Sequence, residues 1–155
     1  MSEAVELAGV TKRFGDFTAV DGISLAVPAG SVYGFLGPNG AGKTTTIRMI
    51  MNILRPDEGA IRILGGPSGE SVKLRTGYLP EERGVYKTMK VLDLVAYFGT
   101  LKGLSRAEAK ERGLRHLKDM GLGDWVDRNC QDLSKGMQQK VQFISTIVHQ
   151  PELVI

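Results

Sequence analysis

The stretch GPNGAGKTT at residues 37–45 decides the fold of this 155-residue chain. It matches the pattern G-x-x-x-x-G-K-[ST] at Gly37, Gly42, Lys43 and Thr44. Ordinary residue frequencies would give that pattern by accident at about the one per cent level or less in a chain of this length. An apolar run, SVYGFL, precedes the motif, and a helical pattern, GKTTTIRMIMNIL, follows from its end. The sequence therefore predicts a P-loop between a buried strand and a helix.

The residues of this loop are suited to hold the phosphates of a nucleoside triphosphate. Glycines let the main chain wrap around an anion, so that several N–H groups point at the same oxygens and the positive end of the helix adds to their field. Lys43 can reach the outer phosphates, the Thr44 hydroxyl can ligate Mg²⁺, and Thr45 is a supporting hydroxyl. The predicted nucleotide contacts are Gly37, Asn39, Gly40, Gly42, Lys43, Thr44 and Thr45.

The segments around the P-loop predict an α/β core. Apolar and polar residues alternate at 5–8 and again at 23–27, so two strands joined by the polar stretch TKRFGDFT open the chain. SVYGFL predicts a strand buried on both faces, residues 61–63 predict another strand, and TGYLP predicts one more. The helix that follows the P-loop is expected to stop at the PDEG turn.

Beyond Glu82 the pattern changes from strands to helices. Thr88 is predicted to cap a first helix, and Ser105 with Glu108 forms the pattern of a capping box for a second, which should end at MGLG. Ser134 is predicted to cap a third helix. The apolar positions that keep helical spacing in the first and third helices are Val91, Leu92, Val95, Phe98, Leu101, Met137, Val141, Ile144 and Val148. The predicted fold class is α/β, a P-loop NTPase core that has a mixed sheet with antiparallel N-terminal strands and carries a helical subdomain.

Composition and charge indicate an ordinary globular protein. Apolar residues make up 42% and charged residues 24%, so neither disorder nor a coiled coil is indicated. A net charge of +3 is too small to argue for a nucleic-acid partner. The single cysteine, Cys130, allows no intrachain disulfide and suits a reducing, cytoplasmic setting. The uncharged stretch 22–42 contains two prolines and six glycines, so it predicts strands and a loop instead of a transmembrane helix.

A second segment, LSKGMQQK at residues 133–140, has the pattern of another helix start suited to phosphate. Ser134 stands at the predicted start and Gly136 follows two residues later, although an ordinary serine-capped helix would have the same pattern. The order of the features is more informative than this segment alone. A P-loop, a helical insertion, a serine–glycine helix start and a final apolar run, in this order, resemble the ATP-binding subunit of an ABC transporter over essentially the whole chain.

This resemblance implies both ligands and partners. In that family a loop aromatic before the second strand stacks on adenine, and Phe14 stands at the matching position. Ser134 and Gly136 would contact the γ-phosphate of an ATP held by a second ATP-binding subunit, in a head-to-tail dimer whose closure and reopening drive transmembrane permease subunits. The resemblance implies an ATPase that uses ATP and Mg²⁺, lies on the cytoplasmic face of the cell membrane and has no nucleic-acid partner.

Two positions depart from the family pattern. The signature is usually LSGGQ, but Lys135 and Met137 occupy the third and fifth places, so any contact made by a glutamine at the fifth place is lost. The loop after TGYLP normally presents a glutamine to Mg²⁺ and to the membrane partner, whereas Glu81 stands there. Because a carboxylate is a good ligand for Mg²⁺, Glu81 is a candidate metal ligand and the one candidate catalytic group. The sequence from this loop to residue 104 resembles a branch associated with drug or sodium efflux.

The final run, PELVI, resembles the start of the family's Walker B strand. In the family this strand ends in the aspartate that assists Mg²⁺ and the catalytic glutamate, and a switch histidine follows; none of these is among the 155 residues. Asp132, Glu152 and His149 are not expected to replace them. We therefore expect a fragment with an incomplete sheet that binds nucleotide and hydrolyses it weakly or not at all. The expected organisation is a nucleotide-binding core at 1–83, a helical subdomain at 84–133, and the signature helix with the start of the Walker B strand at 134–155.

Two other classes of protein stay open at this point. An ABC-type ATPase that acts on ribosomes or DNA would carry the same motifs, although DNA-repair members have a long coiled-coil insertion where this chain has short helical patterns. A P-loop kinase or GTPase is disfavoured, since no N-K-x-D guanine motif occurs in the chain. The transporter interpretation is preferred.

Overall fold

The structure is a computed structural model that describes residues 2–80, 86 and 88–155. The chain forms two compact units, Met1–Lys73 and Leu74–Ile155. Helix α2 (Glu70–Arg75) spans the boundary between them. The first unit contains an antiparallel sheet and the P-loop, and the second contains a cluster of three longer helices and a short parallel sheet.

The sheet of the first unit has four strands in the order β2-β1-β3-β4. Strands β1 (Glu3–Phe14) and β2 (Phe17–Pro28) form a hairpin, β3 (Glu58–Ile63) pairs with the other edge of β1, and β4 (Gly66–Pro67) follows β3. Both predicted opening strands are confirmed. The polar stretch between them is mostly paired, however, so the connection is shorter than predicted and consists of the turn at Gly15 and Asp16.

Helix α1 (Lys43–Ile50) follows the P-loop and packs on the sheet of the first unit. Its buried residues are Thr46 and Met49, and it contacts β2 and β3. The helix ends earlier than the pattern GKTTTIRMIMNIL predicts, because the chain turns at residues 51–54, where Asn52 has a φ of 52°. The apolar core of this unit includes Val5, Leu7, Val10, Val20, Met49, Ile61 and Ile63.

The apolar run SVYGFL does not form the strand that the sequence predicts. Val32 and Leu36 are 103% and 92% exposed, and in the described part of the chain no strand pairs with residues 31–36. A strand is buried on both faces only when neighbouring strands take its backbone hydrogen bonds and other elements cover it. The first unit offers this segment neither, so the prediction of a doubly buried strand is wrong for this structure.

Three helices pack around a common core in the second unit. They are α3 (Val91–Leu101), α4 (Arg106–Asp119) and α5 (Lys135–Ile147), with short 3₁₀ turns at Gly123–Trp125 and Cys130–Asp132. Strands β5 (Thr76–Gly77) and β6 (Leu153–Val154) pair in parallel beside them. The buried cluster comprises Val91, Leu94, Val95, Leu117, Leu122, Cys130, Leu133, Val141, Ile144 and Val148.

The starts of two helices follow the sequence prediction and that of the third does not. The capping box of Ser105 and Glu108 and the serine cap of α5 are confirmed. Thr88 is not a cap, because α3 begins at Val91. The N–H groups of Val91 and Leu92 donate instead to the backbone oxygens of residues 128 and 126, at 3.0 and 3.1 Å. Backbone carbonyls from a distant segment thus satisfy the first turn of α3, which local sequence cannot indicate.

Candidate nucleotide-binding site

The P-loop connects the extended segment 31–36 to helix α1. Gly40 and Gly42 have φ angles of 84° and 80°, a left-handed backbone that glycine adopts without steric cost. A Cβ on Gly42 would lie 2.5 Å from the carbonyl oxygen of Ala19 and 3.0 Å from a methyl group of Val20. The loop therefore lies directly against strand β2, and only glycine fits at that contact.

Lys43 folds back over the loop that it follows. Its Nζ donates to the carbonyl oxygens of Gly37 and Pro38, at 2.6 and 2.7 Å. It forms no ion pair with any described residue, so no acidic side chain in that part of the chain neutralises its positive charge. An anion bound at the loop would exchange two neutral acceptors for a charged one, which makes a stronger hydrogen bond.

The start of helix α1 is open to an anionic ligand. Gly42 stands at the N-cap position without a side-chain hydrogen bond, and the first turn holds no acidic residue. The first N–H groups of a helix lack partners within it, and the aligned peptide dipoles make that end positive. Thr44 is exposed and Thr45 half-buried, while the buried Thr46 hydroxyl donates to the Gly42 oxygen at 2.9 Å and stabilises the turn. The loop, the lysine and the helix start together provide the donors and the positive charge that phosphate binding requires.

The donor set around Thr44 fits Mg²⁺ held together with phosphate oxygens. Within residues 2–80, 86 and 88–155 no group of three or more His, Cys, Asp and Glu residues is placed to hold a metal ion. Mg²⁺ bound to a nucleotide needs no such group, since it takes one or two protein oxygens and fills its shell with phosphates and water. The Thr44 hydroxyl, exposed in the first turn of helix α1, is the predicted source of such an oxygen. Glu81, the other predicted ligand, lies outside the described residues.

Phe14 stands at the end of strand β1, in the same unit as the P-loop. Its side chain is 48% exposed, and the ammonium group of Lys12 lies 5.6 Å from the centre of its ring. The same ammonium group donates to Asp57 at 2.9 Å. No sequence pattern indicates a role for Lys12 or Asp57. Charged residues on a strand and in a turn are usually solvated, and this pair is 45 residues apart in the chain.

The second predicted phosphate contact lies in the other unit. Ser134 caps helix α5, and its Oγ accepts a hydrogen bond from the Met137 N–H at 3.3 Å. Gly136 is exposed, and a Cβ at its position would meet nothing within 4 Å. The side-chain amide of Gln138 donates to the carbonyl oxygens of Cys130 and Leu133, at 3.1 and 3.2 Å, and so fixes the segment that leads into the helix. No sequence pattern indicates this role of Gln138, because its two partners are backbone carbonyls.

Three other titratable side chains, those of Asp132, His149 and Glu152, lie outside the P-loop unit. Glu152 forms a two-pronged ion pair with Arg75, at 2.6 and 2.7 Å, which lowers the pKa of this carboxyl. Asp132 is exposed at the end of a 3₁₀ turn. His149 is half-buried, and burial lowers its pKa, with the positive charge of Lys102 acting in the same direction. None of the three lies in the unit that contains the P-loop.

Comparison with known protein families identifies the chain. Residues 20–155 match the family model described as ABC transporter. The chain belongs to the ABC transporter family. The P-loop, helix α1 and the signature segment all lie within the matched residues.

Relatives in the ABC transporter family are similar over nearly all of the chain. The ABC transporter ATP-binding protein YhaQ of Bacillus subtilis is 47% identical, over 94% of this chain and 49% of that protein. The daunorubicin/doxorubicin resistance ATP-binding protein DrrA of Streptomyces peucetius is 38% identical, over 99% of this chain and 47% of that protein. The chain thus spans about half the length of the curated relatives it matches.

A solved structure agrees with this assignment at the level of the fold. The ATP-binding subunit of an ABC transporter superposes with a TM-score of 0.86 at 27% identity, over 97% of this chain and 64% of that one. The predicted fold class, a P-loop NTPase core with a helical subdomain, is therefore confirmed. Of the helices in the described ranges, none has the length and apolar character needed to cross a membrane.

Proposed function

We propose that this chain is the nucleotide-binding part of an ABC transporter subunit that couples ATP binding and hydrolysis to transport. The observation that carries the proposal is the arrangement of Lys43. Its ammonium group lies on two carbonyls of the P-loop, without an acidic partner among the described residues, beside a helix start that has no side-chain cap. That arrangement suits a polyphosphate, and the family match makes ATP the preferred one.

In this proposal each residue of the loop has a separate task. Lys43 leaves its carbonyls and binds the outer phosphates, while the N–H groups that follow Gly42 bind the inner ones. Bound Mg²⁺ would neutralise phosphate charge, with the Thr44 hydroxyl as one ligand and Glu81 as a candidate for another. Asn39, Gly40 and Thr45 complete the cradle, and Phe14 stacks on adenine.

The partners follow from the same family assignment. Ser134 and Gly136 would bind the γ-phosphate of an ATP held by a second ATP-binding subunit, so that two subunits pair head to tail. Transmembrane permease subunits would hold the pair at the cytoplasmic face of the cell membrane. The similarity to a drug-resistance ATP-binding protein supports an export system. The division into a core at 1–83, a helical subdomain at 84–133 and a signature segment at 134–155 stays a prediction.

The 155-residue chain should bind ATP without turning it over. None of its residues matches the family's catalytic carboxylates, and groups of that kind orient the attacking water and assist Mg²⁺. We expect the chain to bind Mg²⁺-ATP and to hydrolyse it at a rate near background.

Calorimetry with Mg²⁺-ATP, together with a phosphate-release assay, tests this proposal. Lys43→Ala should weaken binding about 10- to 100-fold, the range expected for loss of a hydrogen bond to a charged group. Arg62→Ala is the matched control, since it removes an exposed cation of the same unit and should leave binding unchanged. Equal binding by Lys43→Ala and the unmodified chain would contradict the proposal. Lys43-dependent turnover would contradict the expected lack of hydrolysis and make Glu81 the first residue to substitute.

The relatives favour transport over the alternative of an ATPase that acts on ribosomes or DNA. YhaQ and DrrA are both named as ATP-binding proteins of transport or drug resistance, and neither name refers to ribosomes or DNA. Co-sedimentation of the chain with ribosomes, retained at high salt, would reverse this preference.

A further inference from the structure

We infer that Asp57 is a positioning residue for the nucleotide base, because it fixes the end of strand β1 and thereby the ring of Phe14. The inference rests on the proposed nucleotide site and on the predicted place of Phe14 in it. Asp57 itself would touch neither base nor phosphate. Its effect on binding would pass through Lys12 and the backbone of β1.

Asp57 holds three consecutive residues of strand β1. Its Oδ2 accepts a hydrogen bond from the backbone N–H of Arg13 at 2.6 Å, and its Oδ1 accepts one from the Lys12 ammonium group at 2.9 Å. Its own N–H donates to the carbonyl oxygen of Thr11 at 2.9 Å. Phe14 is the next residue along the strand, so these contacts end directly before the aromatic ring.

These contacts occur where regular pairing between β1 and β3 stops. The last paired residues are Thr11 and Glu58, and a register shift already separates them from the pair at Ala8. Beyond Thr11 no strand in the described part of the chain pairs with the edge of β1 that faces β3. An unpaired N–H there would leave the backbone without a hydrogen-bond restraint. The Asp57 carboxylate takes the place of that partner for Arg13.

The Lys12 ammonium group connects Asp57 to the ring. The Lys12 side chain is only 15% exposed, while that of Asp57 is 38% exposed, so the ion pair lies at the edge of the surface with its cation largely covered. The same nitrogen lies over one face of Phe14, 5.6 Å from the ring centre, which is within the range of a cation–π contact. Hydrogen bonds from the Arg13 N–H and from Lys12 lower the pKa of Asp57, so its charge persists throughout the neutral pH range.

This geometry leaves part of the Phe14 ring open to a base. The Lys12 ammonium group lies over one face, and Phe14 is 48% exposed, so solvent reaches part of the ring. Stacking on an aromatic side chain depends on a fixed ring orientation, because a mobile ring must be ordered when the base binds. Loss of Asp57 would free the Lys12 ammonium group and the Arg13 N–H together, and the ring would lose its support.

Two ligands distinguish the contribution of the base to binding from that of the phosphates. Mg²⁺-ATP uses both parts of the site, whereas inorganic tripolyphosphate with Mg²⁺ uses only the P-loop. Asp57→Ala should weaken ATP binding about fivefold or more, the lower part of the range for loss of a base stack. Its affinity for tripolyphosphate should stay within about twofold of the unmodified chain. Phe14→Ala should show the same selectivity, and the double variant should be no weaker than Phe14→Ala alone.

Two further variants keep the test decisive. Glu58→Ala is the matched control. Within the described ranges the side chain of this neighbouring acid pairs with the Arg13 side chain alone, at 2.6 Å, so the variant should leave the ratio of the two affinities unchanged. Asp57→Asn keeps an oxygen for the Arg13 N–H but loses the charge that holds Lys12. It should lie between the unmodified chain and Asp57→Ala, and it decides the question alone if Asp57→Ala does not fold.

The outcomes distinguish this inference from the proposed function. The inference is overturned, and the nucleotide site stands, if Phe14→Ala lowers the affinity for ATP but not for tripolyphosphate while neither Asp57 variant does so. If Asp57→Ala weakens ATP and tripolyphosphate equally, Asp57 supports the fold in general and the inference is again overturned. If Phe14→Ala has no selective effect, the predicted base contact is wrong and the inference fails with it. The nucleotide site itself would be contradicted only if Lys43→Ala bound both Mg²⁺-ATP and tripolyphosphate as tightly as the unmodified chain does.

Discussion

Gly40 and Gly42 share a left-handed backbone but differ in their surroundings. A Cβ on Gly40 would meet nothing within 4 Å, whereas one on Gly42 would lie 2.5 Å from the Ala19 oxygen. Alanine at either position costs about 1–2 kcal/mol for the backbone conformation. At Gly42 the contact with strand β2 must also open, so we expect Gly42→Ala to destabilise the first unit by clearly more than Gly40→Ala does.

Hydrogen exchange of the β1 and β2 amides measures this difference. The single tryptophan, Trp125, lies in the second unit, so its fluorescence does not report on the P-loop unit. Equal loss of protection in the two variants would show that the approach of Gly42 to β2 is not energetically important. Tripolyphosphate binding by Gly40→Ala then reports how far the loop itself has changed.

Sequence prediction reached furthest for residues whose conformation is local. The P-loop was found from a motif of eight positions, and Gly40 and Gly42 have left-handed angles while Lys43 begins helix α1. Their contacts with nucleotide stay a prediction. Asp57 could not be found in this way. Its partners on β1 are more than 40 residues away, and the contact depends on where the pairing of two strands ends.

At the level of elements, periodicity predicted the helices better than the strands. Helices α4 and α5 follow their apolar spacing and their serine caps, because both signals are local. The segment 31–36 is as apolar as a buried strand but is exposed, because strand formation depends on partners that sequence spacing does not specify. The six-residue helix α2 was not predicted, since so short a segment shows too little periodicity.

The capping box of helix α4 should stabilise the second unit measurably. Ser105 Oγ accepts from the Glu108 N–H at 3.2 Å, and the Glu108 carboxylate accepts from the Ser105 N–H and hydroxyl. Ser105→Ala should lower the free energy of unfolding by about 1 kcal/mol, while Ser105→Gly should cost only about a few tenths. Urea denaturation followed by Trp125 fluorescence measures both, since Trp125 packs against the core of this unit.

The cost of Ser105→Ala should also depend on pH. Hydrogen bonds from the Ser105 hydroxyl and N–H lower the pKa of Glu108 from its ordinary value of 4.5. A carboxyl whose pKa is lowered by folding stabilises the protein above the unfolded value, and the stabilisation is lost as the pH falls through the folded value. The difference between Ser105→Ala and the unmodified chain should therefore be constant near neutrality and shrink below about pH 4.5. A difference that grows on acidification would contradict the role of the charged carboxylate.

At the level of the whole chain, the two candidate phosphate contacts lie in different units. The P-loop belongs to Met1–Lys73 and the signature helix start to Leu74–Ile155. In the proposed head-to-tail dimer one chain's P-loop and another chain's signature bind the same nucleotide. Protection of the signature segment by ATP should therefore depend on chain concentration, because that contact needs a second copy. Protection of the P-loop should not depend on it.

Hydrogen exchange with Mg²⁺-ATP across a range of chain concentrations tests this arrangement. At saturating nucleotide the amides of 37–46 should be protected at every chain concentration, because a single copy suffices for the P-loop. The amides of 134–137 should gain protection only as the concentration rises, in step with dimer formation measured by light scattering. Lys43→Ala should move both effects to nucleotide concentrations about 10- to 100-fold higher. Gly136→Ala should reduce only the second, since its Cβ would enter open space within its own unit and would obstruct only an approaching ligand. Protection of 134–137 that is complete at the lowest concentration would rule out a contact supplied by a second copy.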